Sequence, residues 1–455
     1  MLGVIVRRAL RAFVVVWVGQ AASIVGSALT SFALGVWLFQ RSGAVTDLAA
    51  NALCATLPMA VLSPLAGALV DRHDRRFLMI VSDCAAACVT LAIAALALLG
   101  RLSPWHVYAS TALIATANAV QVPAYTATVS LLVPKEQLGR TSGMTSLAQA
   151  AASILAPALG GALLVTVGLA GVIAIDLVTF LVAAVTLFVV RIPRPARATR
   201  LERHPSYWRD VLAGWRYVAV RPGLLAVTVY FGVLNLAEGM GNVLRAPLVL
   251  SFAPPMALGG VMSAAGAGGL VGSVLMSAWG GPRRRIDGVL AFTALAGLSM
   301  VVAALRPSVT LLGVAYAGRY VCGPIFSGCG TAILQAKVAP EMQGRAFALG
   351  SAVRGATLTL VYLAAGPLAD GVFEPLMAAG GPLAGSLGAL IGAGPGRGIA
   401  LLMGLLGLVT MGVALAGRLS RRLYHIEEDL PDAARPQVSA AAPVAAEAAV
   451  GVAEI

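Results

Sequence analysis

Apolar segments of about 20 or more residues recur along nearly the whole chain, and each is long enough to cross a bilayer as a helix. A backbone surrounded by hydrocarbon must satisfy its N–H and C=O groups internally, and an α-helix does so within one segment. Only 11% of the residues are charged, against about 25% in a typical soluble domain. The sequence therefore predicts an all-α membrane protein with twelve transmembrane helices. The predicted spans are residues 13–40, 47–70, 77–99, 105–133, 142–167, 169–190, 223–251, 257–279, 286–305, 308–335, 345–373 and 398–417.

The basic residues are distributed unevenly between the connecting segments. If the N-terminus is cytoplasmic, the inward-facing segments hold 25 of the 32 Lys and Arg residues, the outward-facing segments hold four, and three lie within spans. This is the positive-inside pattern of membrane proteins. The net charge of +13 thus reflects topology and contact with anionic lipid, and it requires no nucleic-acid partner. We expect a multi-pass protein of the bacterial inner membrane with both termini in the cytoplasm.

Three short patterns recur in the two halves of the chain at offsets of about 205 to 215 residues. The turn VPKEQLGR after the fourth span is echoed by APEMQGR after the tenth, the charged turn after the second span by GGPRRR, and APALGG by GPLADG. Two parallel six-helix repeats are typical of secondary transporters that bind substrate between their halves. The expected domains are a six-helix half at 1–190, a cytoplasmic linker at 191–222, a second six-helix half at 223–420 and a cytoplasmic, disordered tail at 421–455.

Several motifs carry a resemblance to a known family. The charged turn GALVDRHDRR, residues 67–76, resembles the loop signature between helices 2 and 3 of the major facilitator superfamily. APALGG resembles an antiporter-type helix 5 signature, with Pro157, Gly160 and Gly161 on matching positions. With the linker WRDVLAGWRYV and the segment GAGPGRG, these motifs are similar to the macrolide-efflux and siderophore-export branch of the drug:proton antiporters. The resemblance implies the major facilitator fold of two pseudo-symmetric six-helix halves.

In that family the charged turn is part of a cytoplasmic gate, which closes when the outside opens. The resemblance implies gating roles for residues of this turn and of the two repeated turns: Gly67, Asp71, Arg72, Arg75, Arg76, Arg140 and Arg345. Asp74 occupies a position where the general pattern has Gly. Anchoring of the loop at the membrane surface explains Arg76, but it does not explain the acidic Asp71.

Polar residues fall on one face of several predicted helices, where lipid would not tolerate them. In the seventh span, Asn235, Glu238, Asn242 and Arg245 lie at i, i+3, i+7 and i+10. The first, fourth and tenth spans carry similar polar positions: Gln20, Ser23, Ser27, Asn118, Gln121, Tyr125, Tyr316, Arg319 and Tyr320. These four spans occupy corresponding places in the four helix triplets, and in the family they line the central pathway. We therefore predict that these side chains line the substrate cavity.

Ionisable residues inside a bilayer are costly and are default candidates for functional sites. Glu238 lies near mid-depth in the seventh span, where proton coupling or substrate contact competes with a structural ion pair to an Arg. Asp176 is the second proton-coupling candidate, although a structural hydrogen bond explains it more simply. Arg354 is a further charge within a span, and Asp83 near the cytoplasmic end of the third span is interpreted as gate architecture.

Other classes of function lack their characteristic residues. The four His residues lie in loops or at span ends, and the sequence contains no HExxH, GxSxG or Walker A motif. We therefore expect no enzyme activity, no metal site and no cofactor, with an ion gradient instead of ATP as the energy source. The duplicated halves favour alternating access over a channel. A membrane sensor that does not transport is left open.

Taken together, these features predict a secondary active exporter of bulky amphipathic organic compounds that works by proton antiport with alternating access. A multidrug or macrolide-type substrate is the first choice, and a siderophore or an endogenous natural product is the alternative. The expected partners are the small organic substrate, protons and membrane lipid, and the protein is expected to be monomeric.

Cysteine labelling tests the predicted topology. In a variant without the five native Cys residues, a membrane-impermeant thiol reagent applied to intact cells should label a Cys placed at Gly381. The reason is that the loop after the eleventh span must be periplasmic if the linker is cytoplasmic. A Cys placed at Thr199 in the linker should be labelled only after permeabilisation. The reverse pattern would overturn the whole orientation.

Overall fold

The computed structural model describes residues 2–133, 137–189 and 207–430 of the chain. Within these ranges a few short stretches, which include residues 67, 71, 72 and 140, are described as backbone only. The helices in chain order are α1 (Leu2–Ser42), α2 (Val45–Arg72), α3 (Arg75–Leu98), α4 (Pro104–Leu132), α5 (Leu138–Thr166), α6 (Gly168–Val189), α7 (Tyr207–Ala219), α8 (Pro222–Leu250), α9 (Pro255–Trp279), α10 (Arg285–Leu305), α11 (Val309–Lys337), α12 (Pro340–Leu368), α13 (Glu374–Met377), α14 (Gly388–Ile391), α15 (Arg397–Leu419), α16 (Arg421–Tyr424) and α17 (Ile426–Asp429), with a π-helical turn at Ala369–Phe373 between α12 and α13.

Twelve of the helices in the described ranges, namely α1 to α6, α8 to α12 and α15, are 21 to 41 residues long. Eleven of these twelve are also apolar enough to cross a membrane. Large apolar side chains such as Leu181, Phe188, Val314 and Leu415 are exposed on them. Soluble monomers rarely expose so much apolar surface, whereas lipid covers it without cost. The protein is therefore a multi-pass membrane protein.

Helix α4 is less apolar than the other eleven, although its 29 residues give it the length of a crossing helix. It packs against α2 and α3 and carries Asn118 and Gln121 near its middle. The Gln121 side-chain amide donates to Asp83 of α3, so part of its polar face is turned toward protein and away from lipid. A crossing helix inside a bundle can carry such residues. Each predicted span thus corresponds to one long helix, and the predicted fold class is confirmed.

The same helix pairings occur in the first and second halves of the chain. Helix α1 packs on α5 and α6, α3 packs on α4 and α6, and α2 packs on α4. In the second half, α8 packs on α12 and α15, α10 packs on α11 and α15, and α9 packs on α11. Every pair of the first set has its counterpart six crossings later. The structure therefore consists of two pseudo-symmetric six-helix halves.

The even number of crossings places the N-terminus, α7 and the C-terminal helices on one side of the bundle, which we call the terminal side. The loops that follow α1, α8 and α12 lie on the opposite, far side. The linker contributes a helix to the bundle, because α7 packs on α12. The backbone carbonyl of Arg345 lies so close to Gly214 of α7 that a side chain at this position would collide with it.

The predicted disordered tail is wrong for residues 421–430. Helices α16 and α17 pack on the second half, with Leu423 and Ile426 buried. The Glu427 carboxylate accepts hydrogen bonds from the backbone N–H groups of Arg285 at 3.1 Å and Ile286 at 3.0 Å. These N–H groups lie in the first turn of α10 and have no partner within their own helix. These hydrogen bonds hold α17 against the start of α10. Residues 431–455 lie outside the described residues.

Candidate transport cavity and its gates

A cavity of about 940 Å³ lies between the two halves, within the usual size range of small-molecule sites. From the first half, α1 and α5 line it with small or apolar side chains, among them Ala28, Phe32, Ala152 and Pro157. From the second half, α8, α9, α11 and α12 line it. All of the charged lining residues belong to the second half: Glu238, Arg245, Arg319 and Arg354. The cavity is therefore chemically asymmetric even though the fold is nearly symmetric.

Glu238 and Arg319 form an ion pair that joins α8 to α11 at the cavity wall. The Arg319 Nη2 atom lies 2.8 Å from Glu238 Oε2. The Arg319 side chain is only 3% exposed, whereas that of Glu238 is 30% exposed. The Nε and Nη2 atoms of Arg319 make no directed hydrogen bond within the described part of the chain, so charge attraction dominates the contact. Glu238 thus neutralises a cation that has little access to water.

A chain of hydrogen bonds holds Arg245 at the same wall. Arg245 Nη1 donates to the Tyr320 hydroxyl at 2.7 Å, and this hydroxyl donates to Asn242 Oδ1 at 2.7 Å. The guanidinium also lies 5.6 Å from the centre of the Tyr320 ring, within cation–π range. Arg354 of α12 lines the cavity as an exposed side chain. Among the described residues, no carboxylate forms an ion pair with Arg245 or Arg354.

Of the thirteen predicted cavity residues, five lie on the cavity wall: Glu238, Asn242, Arg245, Arg319 and Tyr320. The prediction for α1 and α4 differs from the structure. The Gln20 amide donates to Asp83 Oδ2 at 3.3 Å, and the Gln121 amide donates to Gln20 Oε1 at 3.1 Å and to Asp83 Oδ1. Asp83 is 1% exposed, and a buried carboxylate requires donors. These polar groups therefore join α1, α3 and α4. Asp83 lies inside the bundle of the first half and not at the expected gate.

The remaining predicted cavity residues lie elsewhere in the bundle. Ser27 donates to Asp176 Oδ1 at 3.3 Å, which joins α1 to α6 around a carboxylate that is 2% exposed. Tyr316 is 2% exposed in the apolar core of the second half, with its hydroxyl 3.9 Å from the sulfur of Met403. The predicted cavity position is therefore wrong for Ser27 and Tyr316, because their hydroxyl groups are directed into contacts between helices. The other four predicted cavity residues also lie outside the cavity lining. Asn118, Tyr125 and Asn235 are half-buried, and Ser23 is buried.

On the terminal side, the charged turn ties helices of the first half to one another. Arg75 Nη1 donates to the backbone carbonyl of Ala127 at 2.8 Å, and Arg76 donates to those of Leu187 at 2.8 Å and Phe188 at 2.9 Å. Asp74 caps the start of α3 by accepting from the Arg76 backbone N–H at 3.0 Å, which explains its place in the turn.

Of the other predicted gating residues, only Arg345 has a described side chain. Arg345 contacts the sulfur of Met342 at 3.4 Å. The side chains of Asp71, Arg72 and Arg140, and the surroundings of Gly67, lie outside the described residues. Their gating role stays a prediction.

On the far side, a carboxylate of the second half caps a helix of the first. Asp370, in the π-helical turn after α12, accepts hydrogen bonds from the backbone N–H groups of Val45 at 3.0 Å and Thr46 at 2.8 Å. The Thr46 hydroxyl donates to the same carboxylate at 2.7 Å. The first N–H groups of α2 have no partner in their own helix, and a negative charge at a helix N-terminus is favourable. Asp370 therefore joins the two halves beyond the cavity.

Small residues close the same side where α5 meets α9. The backbone carbonyl of Pro157 packs against Gly259, and the start of α9 at Pro255 and Met256 packs against Gly161. A side chain at either glycine would meet backbone atoms, which cannot move aside cheaply. Gly160, by contrast, faces the Phe32 ring of α1. The predicted antiporter-type motif thus provides the close approach of helices from different halves.

Sequence reasoning did not find Asp370, and it did not place Arg354 at the cavity or Asp83 inside the first half. Arg354 is visible in the sequence as a charge within an apolar span, which was the available signal. Asp370 lies in the repeated GPLADG pattern, but no local feature indicates its partner in α2. Asp83 was assigned to the gate because depth along a helix does not reveal which neighbour a side chain faces.

Comparisons with known proteins agree on one family. Residues 16–361 match the family model described as Major Facilitator Superfamily. Macrolide efflux protein A of Streptococcus pyogenes is 29% identical over 366 residues, which cover 79% of this chain and 89% of that protein. Multidrug efflux pump Tap of Mycolicibacterium fortuitum is 26% identical over 354 residues, 76% and 86% of the two chains. A bacterial homolog of the lysosomal transporter Spinster, solved in an inward-facing and unoccupied conformation, has a TM-score of 0.65 at 14% identity, over 90% of this chain and 95% of that one.

The Glu238–Arg319 pair predicts a specific pattern of stability changes. Glu238→Gln leaves a buried cation without its counter-ion and should cost about 2 kcal/mol, less than for a fully buried pair because Glu238 is partly exposed. Exchanging both residues for Gln should recover most of this loss. Thermal unfolding of the two single variants and the double variant in detergent measures the coupling. Strictly additive effects would mean that the two residues do not stabilise each other.

The Asp370 contact predicts how easily the far side opens. Asp370→Asn weakens the cap on α2 by about 1 kcal/mol, which corresponds to a roughly five-fold larger far-side-open population. In a variant without native Cys, a Cys at the cavity residue Ser31 should then react faster with an impermeant thiol reagent applied from the far side.

Asp47→Asn is the matched control for this experiment. Asp47 lies in the same first turn of α2, but its carboxylate contacts Tyr108 within its own half. An unchanged labelling rate in Asp370→Asn, or an equal increase in both variants, would rule out Asp370 as a contact that restrains opening.

Proposed function

The chain belongs to the major facilitator superfamily, and from this premise we propose that it is a secondary active exporter of bulky amphipathic organic compounds, driven by proton antiport with alternating access. The observation that carries the proposal is the cavity between the two halves, with a charged pair on its wall and contacts between the halves on its far side. A cavity between two repeats is the arrangement that alternating access requires. Fold and family point to a transporter and not to an enzyme.

The positive-inside pattern supports a cytoplasmic terminal side and a periplasmic far side in a bacterial cell membrane. The contacts of Asp370 and of the α5–α9 pair then close the periplasmic side. In this arrangement a substrate would enter from the cytoplasm or the inner leaflet. Opening the far side requires the Asp370 contact to break, and the predicted gate around Asp71 would close the opposite side.

Glu238 is the proposed proton-coupling residue, because it is the carboxylate among the described cavity-lining residues. In the ionised form, it neutralises Arg319 and can accept hydrogen bonds from donor groups of a substrate. A proton on Glu238 removes the charge attraction to Arg319 and weakens the hydrogen bonds that the carboxyl group accepts. Proton and substrate therefore compete for one group, which is the condition for antiport. Asp176 is the alternative, although it is buried and already hydrogen-bonded to Ser27.

The names of the relatives favour a macrolide or multidrug substrate. Arg245 and Arg354 on the wall, which have no ion-pair partner among the described residues, favour the second candidate, a siderophore or another natural product of the cell. The proposed partners are this small molecule, protons and lipid, and the proposed active unit is the monomer. A sensor would bind such compounds without moving them.

Transport by purified protein in liposomes tests the proposal. The panel should contain amphipathic compounds of three charge classes, with a macrolide as the basic member. Wild-type protein should accumulate at least one of them when a pH gradient is imposed. Glu238→Gln should retain exchange of substrate across the membrane but lose accumulation against a gradient, because it can no longer bind and release a proton.

Asp176→Asn is the matched control, since it removes a second membrane-embedded carboxylate that is outside the cavity lining. Accumulation lost in Asp176→Asn and preserved in Glu238→Gln would transfer the coupling role to Asp176. Binding without movement of any compound would support the sensor.

A further inference from the structure

The charge of the cavity wall is unbalanced within the described residues. Three Arg side chains line it, and Glu238 is the one carboxylate among the lining residues. Since Glu238 is 2.8 Å from Arg319, this pair is close to neutral. Arg245 and Arg354 remain as two positive charges without an ion-pair partner in the described chain. The wall thus carries an excess of about two positive charges where a substrate would bind.

Arg245 is held in place before any ligand arrives. Tyr320 accepts one of its N–H groups at 2.7 Å and is itself fixed by Asn242 at 2.7 Å. The guanidinium has five N–H donors, and this contact uses one of them. A positioned guanidinium with free donors matches the geometry of a carboxylate or a similar planar anion. Neutral acceptors bind such a group less strongly than anions do.

From these observations we infer that the cavity has an anion-binding subsite built on Arg245 and Arg354, and that the transported compound is an amphipathic acid that carries a carboxylate or a comparable anionic group. The inference rests on the proposed export function and narrows its substrate. A basic compound would meet two like charges at this wall. A membrane potential that is negative inside also favours the outward movement of an anion, by about 2.3 kcal/mol per charge for each 100 mV.

Equilibrium binding to the purified full-length protein in non-ionic detergent tests the subsite without transport. Fluorescein and rhodamine 6G share a xanthene ring system, but near neutral pH the first is an anion and the second a cation. Fluorescence anisotropy should show binding of fluorescein at least ten-fold tighter than that of rhodamine 6G. Its affinity should fall with added salt, because screening weakens attraction between accessible charges.

Arg354→Gln should weaken fluorescein binding about ten-fold, the usual effect of losing one charged hydrogen-bonding partner. Arg354→Lys should restore part of the loss. Rhodamine 6G should bind no more weakly to Arg354→Gln than to the wild type. The matched control is Arg306→Gln, an exposed Arg in the far-side loop before α11, which should leave fluorescein binding unchanged.

Tighter binding of rhodamine 6G, no detectable binding of fluorescein, or equal effects of Arg354→Gln and Arg306→Gln would each overturn the subsite. The same dyes in liposomes separate this inference from the proposed function. Binding of fluorescein without export of any compound tested keeps the subsite and contradicts the exporter. Export with a preference for rhodamine 6G keeps the exporter and contradicts the subsite.

Discussion

The structure depends on one constraint: a polypeptide backbone in lipid has no water to satisfy its hydrogen-bonding groups. Helices solve this along their length but leave the first N–H groups of each helix without partners. In this chain, carboxylates supply several of the missing acceptors. Asp74 caps α3, Glu427 caps α10 and Glu374 accepts from the backbone N–H of Ile399 in α15. Asp370 does the same for α2, but from the other half of the molecule. The unpaired N–H groups at the start of α2 thereby form a contact between the two halves.

For the proposed alternating access, contacts between the halves must be tight enough to close a pathway and weak enough to break. The α5–α9 contact depends on Gly161 and Gly259, which allow backbones to meet without interlocking side chains. The Asp370 contact consists of three hydrogen bonds at a helix end. Apolar packing also joins the halves, because Val36, Val45 and Ala49 of the first half belong to the same buried cluster as residues of α8 and α12. Separation on this side would therefore break the hydrogen bonds of Asp370 and uncover the apolar residues of the first half that pack in this cluster.

The two halves use their polar side chains differently, and this difference explains the chemistry of the cavity wall. The first half uses its polar groups internally, because Asp83 and Asp176 are buried and take up the amides and hydroxyls of α1 and α4. The second half directs Glu238, Arg245 and Arg354 toward the cavity. A substrate thus meets an uncharged surface on one side and a positively charged surface on the other. This is the surface that an amphipathic molecule with an acidic group would complement.

The crossing helices, their order and the polar face of α8 follow from the sequence, because apolar length and the 3.6-residue period are local properties of a helix. The same reasoning found Glu238 and Arg245, but it placed Gln20 and Tyr316 at the cavity. It also predicted disorder at residues 421–430, where Glu427 finds its partners in α10. Which face of a helix meets which neighbour is decided by packing among many similar apolar surfaces. Partners such as Asp370 and Val45, 325 residues apart, are joined only when the whole bundle assembles, and no local pattern records that contact.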